Sequence, residues 1–158
     1  MDAEKIKEEI KTILGKMSFA EDIEEIEAHH GVTSRYSVRM RGDTPILIGE
    51  YGSTLSALEY ILKRIVRKKT ADNTAVEPEA YKFTLDINDY RMKRLENLKQ
   101  DVKTAAREVR LYRKEVPLRP MSSFERRIVH LLLVEYPDIT TESIGMEPER
   151  RVVIKPYP

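Results

Sequence analysis

Two short stretches of this 158-residue sequence have the residue types and spacing to meet a phosphate or a base. The first is Gly49-Glu50-Tyr51-Gly52, set between an apolar triplet at 46–48 and a helix-like run beginning at Ser53. Glycines tolerate positive φ and let a backbone approach a ligand closely. Successive N–H groups and the start of a following helix can then point at a phosphate. The same two glycines are also what a plain turn between helices requires. The second stretch is Glu125-Arg126-Arg127-Ile128-Val129-His130. On a helix, Arg126 and His130 are four apart and share one face. An arginine fork can bind a phosphate with two parallel hydrogen bonds, and a histidine can hydrogen-bond a phosphate or stack on a base. Taken alone, the pair reads more simply as a half-buried histidine beside Leu131 and Leu132, with an arginine in solvent.

Electrostatics separates the two stretches. Glu50 places a carboxylate between the glycines, where two unit charges about 5 Å apart at an effective dielectric near 20 would repel by roughly 3 kcal/mol. Tyr51 can offset this by stacking a base, worth about 1–3 kcal/mol on single-strand platforms. Lys63, Arg64, Arg67 and Lys68 lie two or more helical turns on and can attract a polyanion only at longer range.

The composition narrows the chemistry. There is no cysteine, which removes disulfides, thiol catalysis and cysteine-type zinc sites. The three histidines, His29, His30 and His130, are too scattered to suggest a metal cluster. No glycine-rich loop ends in Lys-Ser or Lys-Thr, and Ser122 and Ser123 read as helix caps rather than nucleophiles, so a non-catalytic protein without cofactors is expected. No run of eighteen apolar residues and no signal-like start is present, which predicts a cytoplasmic protein without membrane insertion. The net charge is only +1, but it is unevenly spread. Residues 1–30 hold nine acids against four lysines, whereas 60–69 hold five bases and no acid, and 89–115 hold nine bases against five acids. Such a dipolar chain can carry a polyanion site on its basic side.

The elements that must position these residues follow from periodicity. Ile6, Ile10, Ile13, Leu14 and Met17 define an amphipathic helix over 2–17. Residues 19–28 read as a strand, although their spacing fits a helix nearly as well. Alternation in TSRYSVRM (33–40) predicts a second strand. Gly42 and Asp43 turn the chain, and Thr44-Pro45 reads as a cap with proline at the first helical position. A helix is predicted over 53–68 with Leu55, Leu58, Ile61, Leu62 and Ile65 inward, then a polar loop over 70–78. A strand follows, with Tyr81, Phe83, Leu85 and Ile87 on one side. Residues 89–115 form a long charged helix with a narrow seam of Leu95, Leu98, Val102, Ala105, Val109 and Tyr112. After PLRP, the SSFE sequence is a capping box for a helix stopped by Pro137, and strands are predicted at 140–144 and 150–156.

The layout around LIGEYGSTLSALEYI resembles a K-homology (KH) domain, and the helix and strand ahead of it, with one strand closing it, resemble the type II variant, α-β-β-α-α-β. PMSSFERRIVHLLL followed by IGMEPERRVVI is similar to an R-three-H domain, a single-strand-binding module named for its Arg-x-x-x-His spacing. The two modules in this order resemble the bacterial Jag family, also called KhpB or SpoIIIJ-associated, over about residues 32–157. The implied fold class is α+β, with a type II KH domain over 1–88, a linking helix over 89–115 and an R-three-H domain over 116–158. KH domains hold about four nucleotides beside the glycine loop. The resemblance therefore implies binding of single-stranded RNA, or single-stranded DNA, by a bacterial post-transcriptional regulator or RNA chaperone. Its contacts carry over to Gly49 and Gly52, with Glu50 and Tyr51 between them, and to Arg126 and His130, with Arg127, Arg150 and Arg151 as supporting cations. It also implies a small single-KH protein as partner. Glu50 departs from the basic residue usual in family loops, and an acidic helical segment stands where many members carry a separate basic domain. The alternative reading is a protein-interaction scaffold with a degenerate KH loop, using the acidic N-terminal segment and the seam of the 89–115 helix as partner surfaces.

Overall fold

A computed structural model of the chain describes residues 2–42, 44–71 and 82–158, so Asp43, Tyr81 and most of the loop expected over 70–78 lie outside the described residues. The chain divides into two compact units, residues 1–91 and 92–158.

In the first unit, helix α1 (Ala3–Lys16) buries Ile6, Ile10 and Leu14 at successive four-residue steps. Strands β1 (Ile23–His29) and β2 (Ser34–Met40) pair antiparallel, with an irregularity between Ile23 and Glu25. Strand β3 (Phe83–Ile87) joins β2 in parallel, giving the sheet order β1-β2-β3. Strict alternation puts Tyr36, Val38 and Met40 of β2 and Phe83, Leu85 and Ile87 of β3 in the core. Tyr36 and Phe83 meet edge to face at 5.4 Å. The ambiguous 19–28 segment resolves into a short 3-10 turn at 20–22 followed by β1.

Helix α2 (Pro45–Ile48) has the expected proline in its first turn. The Thr44 side chain makes no capping bond; its hydroxyl instead accepts a 3.2 Å bond from the Asn88 amide. Helix α3 (Ser53–Ala71) buries Leu55, Leu58, Leu62 and Val66. This corrects the expected stripe: Ile61 is 48% exposed and Ile65 only partly covered, because the buried face follows Leu62 to Val66. Glu59, also on α3, accepts bonds from Leu85 N–H (3.0 Å), Arg91 (2.6 Å) and Lys63 (2.7 Å), tying the helix to β3 and to the start of the next helix.

That helix, α4 (Tyr90–Tyr112), begins in the first unit and continues into the second. Leu98, Val102, Ala105, Ala106 and Val109 belong to the second unit's core, packed with Val129 and Leu133 and with Ile139, Val152 and Ile154. The stretch expected to link two domains thus supplies core to one of them. Its seam is not open to a partner, and Tyr112, expected in the seam, is 69% exposed. Strand β4 (Val116–Pro117), helix α5 (Ser123–Leu133) and strands β5 (Ile139–Ile144) and β6 (Arg151–Pro156) complete the unit. Its antiparallel sheet has the order β4-β6-β5. The fold is therefore α+β. Among the described residues, no helix is long and apolar enough to cross a membrane.

Helix α5 starts as its sequence predicts. Glu125 N–H donates to Ser122 Oγ (3.3 Å), and Ser122 N–H returns a bond to Glu125 Oε2 (2.8 Å). Glu125 is buried, and Arg94 of α4 donates to both of its carboxylate oxygens, from Nη2 at 3.2 Å and from Nε. Burial alone would push the Glu125 carboxyl up; the bonds from Arg94 and Ser122 outweigh it and hold the group below the usual glutamate range. Glu125→Gln should lower stability by about 3 kcal/mol, because it removes the carboxylate that accepts both bonds from the largely buried Arg94; urea denaturation checks this. The stabilisation from a depressed carboxyl is complete above the ordinary glutamate range and is lost as pH falls through the folded value. The glutamine variant should lack that acid-dependent component.

Candidate nucleic-acid interface

The glycine loop of the first unit is a tight, left-handed turn. Gly49 adopts φ 74° and ψ 179°, a conformation essentially restricted to glycine, and a Cβ there would lie 2.8 Å from the Thr54 backbone nitrogen. Tyr51, at φ 52° and ψ 28°, and Gly52, at φ 77°, are also left-handed. Several loop amides are already engaged: Gly49 N–H donates to Pro45 O (2.7 Å), Gly52 N–H to Gly49 O (3.3 Å), and Ser53 N–H to Glu50 O. Fewer donors are therefore left for a phosphate than an open cradle would offer. Glu50 and Tyr51 are exposed. Of the α3 bases expected to help, Lys63 is bonded to Glu59 and Arg64 to Tyr60 (3.2 Å). Arg67 and Lys68 are exposed and have no ion pair among the described residues.

The second unit assembles a denser site. Residues Ile139, Thr141 and Ser143 of β5 point to one side, and the buried Ile139 marks it as the side that packs on the core. The His130 ring nitrogen Nδ1 is hydrogen-bonded to the Thr141 hydroxyl. One step along the strand, Ser143 Oγ accepts from Arg150 Nε (3.0 Å). One turn back along α5, Arg126 Nη1 donates to Met121 O (2.8 Å) and pairs with Glu147 (2.8 Å), on the turn between β5 and β6. Helix α5 thus runs antiparallel to β5, and Arg126, His130, Arg150 and two hydroxyls form one contiguous row. Arg126 is only 11% exposed, so it is a held fork rather than the arginine in solvent of the simpler reading. Arg127, on the neighbouring face of α5, is exposed and unpaired among the described residues. Arg151 stands apart from the row, held by the carbonyl (3.4 Å) and carboxylate (3.7 Å) of Glu149.

Thr141, Ser143 and Glu147 were not among the residues expected at the site. The period-two pattern through Ile139 could have placed the two hydroxyls on the helix-packed face of β5. Glu147 gives no such signal, since its contact crosses a turn and joins residues far apart in the chain. The glycine loop and the Arg126–His130 row belong to different units. Among the described residues, no group of three or more acids and histidines is placed to hold a metal ion.

A helix carrying Arg-x-x-x-His against a three-stranded antiparallel sheet defines the second unit as an R-three-H domain, and the family model for that domain matches residues 94–156. The match starts inside α4, at the arginine that holds Glu125. The chain is 34% identical over 146 residues to the RNA-binding protein KhpB of Clostridium symbiosum, covering 92% of this chain and 62% of that protein. It is 37% identical over 109 residues to RNA-binding protein KhpB of Lactiplantibacillus plantarum (69% of this chain, 32% of that one). It is also 37% identical over 112 residues to that of Bacillus subtilis (69% and 50%). Over most of its length the chain is thus similar to proteins of the KhpB, or Jag, family. It spans between about a third and just under two thirds of the length of these curated relatives.

Gly49→Ala should destabilise the first unit by about 1–3 kcal/mol, since alanine must strain the backbone or displace Thr54. Thermal or urea unfolding would register the loss. An unchanged midpoint would mean that the loop relaxes freely.

Proposed function

We propose that this chain is a non-catalytic, cytoplasmic RNA-binding protein that holds a single strand on the α5–β5 face of its R-three-H domain. The observation that carries this reading is the row of Arg126, His130 and Arg150 aligned with Thr141 and Ser143, which offers cations, a ring and hydroxyls to a phosphodiester and its bases. Names of the relatives as RNA-binding proteins support it. Glu147 occupies Arg126, so an incoming phosphate must displace that carboxylate and the site is a moderate one. Single-stranded DNA is a weaker ligand in this reading, and post-transcriptional regulation or RNA chaperoning is the role it serves.

The first unit is proposed to be a type II KH domain, with the observed order α1-β1-β2-α2-loop-α3-β3 as its support. Its Gly49-Glu50-Tyr51-Gly52 loop is proposed to touch the strand through Tyr51 while Glu50 weakens the contact. Linking two weak sites raises the effective concentration at the second, so neither has to be strong. A small single-KH protein is the proposed protein partner, on the strength of the family resemblance. The scaffold alternative loses one of its surfaces, because the α4 seam is core.

Titration of a labelled single-stranded RNA tests the reading. Arg126→Ala with His130→Ala should weaken binding at least about tenfold, given about 1.5–3 kcal/mol for a bond to a charged group. Arg127→Ala, which disturbs no contact in the fold, should cost a few-fold. Unchanged affinity in both would remove this face from the mechanism. Glu50→Lys should tighten binding several-fold by replacing repulsion with attraction; no effect would place the glycine loop away from the RNA.

A further inference from the structure

Along α4, one edge carries Lys99, Lys103, Arg107 and Arg110 at steps of four, four and three residues, all exposed and turned away from the buried Leu98, Val102, Ala105 and Val109. Helical geometry sets the first three about 6 Å apart along the axis, one cation per turn. Within residues 99–110 the acids, Asp101 and Glu108, fall on the opposite edge, and Asp101 is already paired with Arg119 (3.6 Å); the exposed Glu96, one turn before Lys99, marks the N-terminal limit of the basic edge. Lys99, Lys103 and Arg107 have no ion pair or hydrogen bond among the described residues. Like charges four apart weaken a helix, whereas Glu-to-Lys pairs at that spacing would support it. Segregating the charges in this way therefore costs stability that a bound polyanion would offset.

The edge also lacks what a protein partner would need. Between Lys99 and Arg110 it bears no apolar side chain, while protein interfaces are built around a desolvated apolar centre. Arg110 closes the row: its guanidinium makes two bonds to Asp138 (2.7 and 2.9 Å) and lies 4.6 Å from the ring centre of Tyr136. Asp138 and Tyr136 are on the turn that follows α5, so the basic edge joins the end of the helix that carries Arg126 and His130. Three free cations at a regular pitch, comparable with the repeat between successive phosphates of an extended strand, suit a backbone and not a base.

We propose that Lys99, Lys103 and Arg107 form a phosphate track on α4, along which the backbone of a single-stranded nucleic acid continues beyond the α5–β5 face. This deepens the RNA-binding reading and rests on it.

The experiment uses the full chain and labelled oligouridylates of about five and about twenty nucleotides. The variant Lys99→Gln/Lys103→Gln/Arg107→Gln keeps good helix formers at exposed positions, and circular dichroism checks the fold. For the longer RNA, the slope of log K against log salt should shrink by about 2, as expected from about 0.7 per single-strand phosphate contact. Its affinity at low salt should fall at least tenfold, while the short RNA should lose little. Lys5→Gln/Lys11→Gln/Lys16→Gln on α1 removes the same charge and should leave the slope unchanged. A wild-type slope in the α4 variant, or an equal loss in the α1 variant, overturns the track while the RNA reading stands. Failure of the wild-type chain to bind either RNA overturns both.

Discussion

The second unit depends on one buried carboxylate. Glu125 closes the first turn of α5 through its bond to Ser122 and accepts a two-pronged bond from Arg94 on α4. A helix cap alone would fix where α5 begins but not how it is turned. The bond to Arg94 ties the helix start to α4, so the rotation of α5 is set as well. With Glu125, Val129 and Leu133 inward, Arg126 and His130 must emerge on the edge facing Thr141 and the turn at Glu147. Core and site are thus the two sides of one helix, positioned by the same ion pair.

The two units treat charge differently. In the first, the exposed Glu50 sits in a loop several of whose amides are engaged, and of the nearby α3 bases Lys63 is paired with Glu59 and Arg64 is bonded to Tyr60. In the second, the arginine of the motif is held by a backbone carbonyl and an exposed glutamate. This orients the fork in advance at the expense of competition with any phosphate. Such an arrangement favours a ligand that makes several modest contacts over one that makes a single strong one.

Much of this was legible in the sequence where a local rule suffices. Alternation at Tyr36, Val38 and Met40 gave a strand, SSFE gave a capped helix, and Arg126 and His130 shared a face by spacing alone. The parts that were not legible are those decided by distant residues. Whether α3 buries Ile61 or Val66 depends on the sheet it meets, and both fit a helical period. What the α4 seam packs against could not be read locally because its partners, Val129, Ile139 and Val152, lie 20 to 54 residues later. The ties from Arg94 to Glu125 and from Glu147 to Arg126 have no sequence signature, since long-range ion pairs carry no period. Thr141 and Ser143 were within reach of the strand pattern but not of any motif.

RNA is proposed to lie on the Arg126–His130 face. Ultraviolet crosslinking of the full chain to a single-stranded oligouridylate, with the attached residues located by mass spectrometry, measures this most directly. Crosslinks should concentrate in peptides from α5 and from residues 139–151. Crosslinks confined to the first unit, with none on α5 or β5, would contradict it.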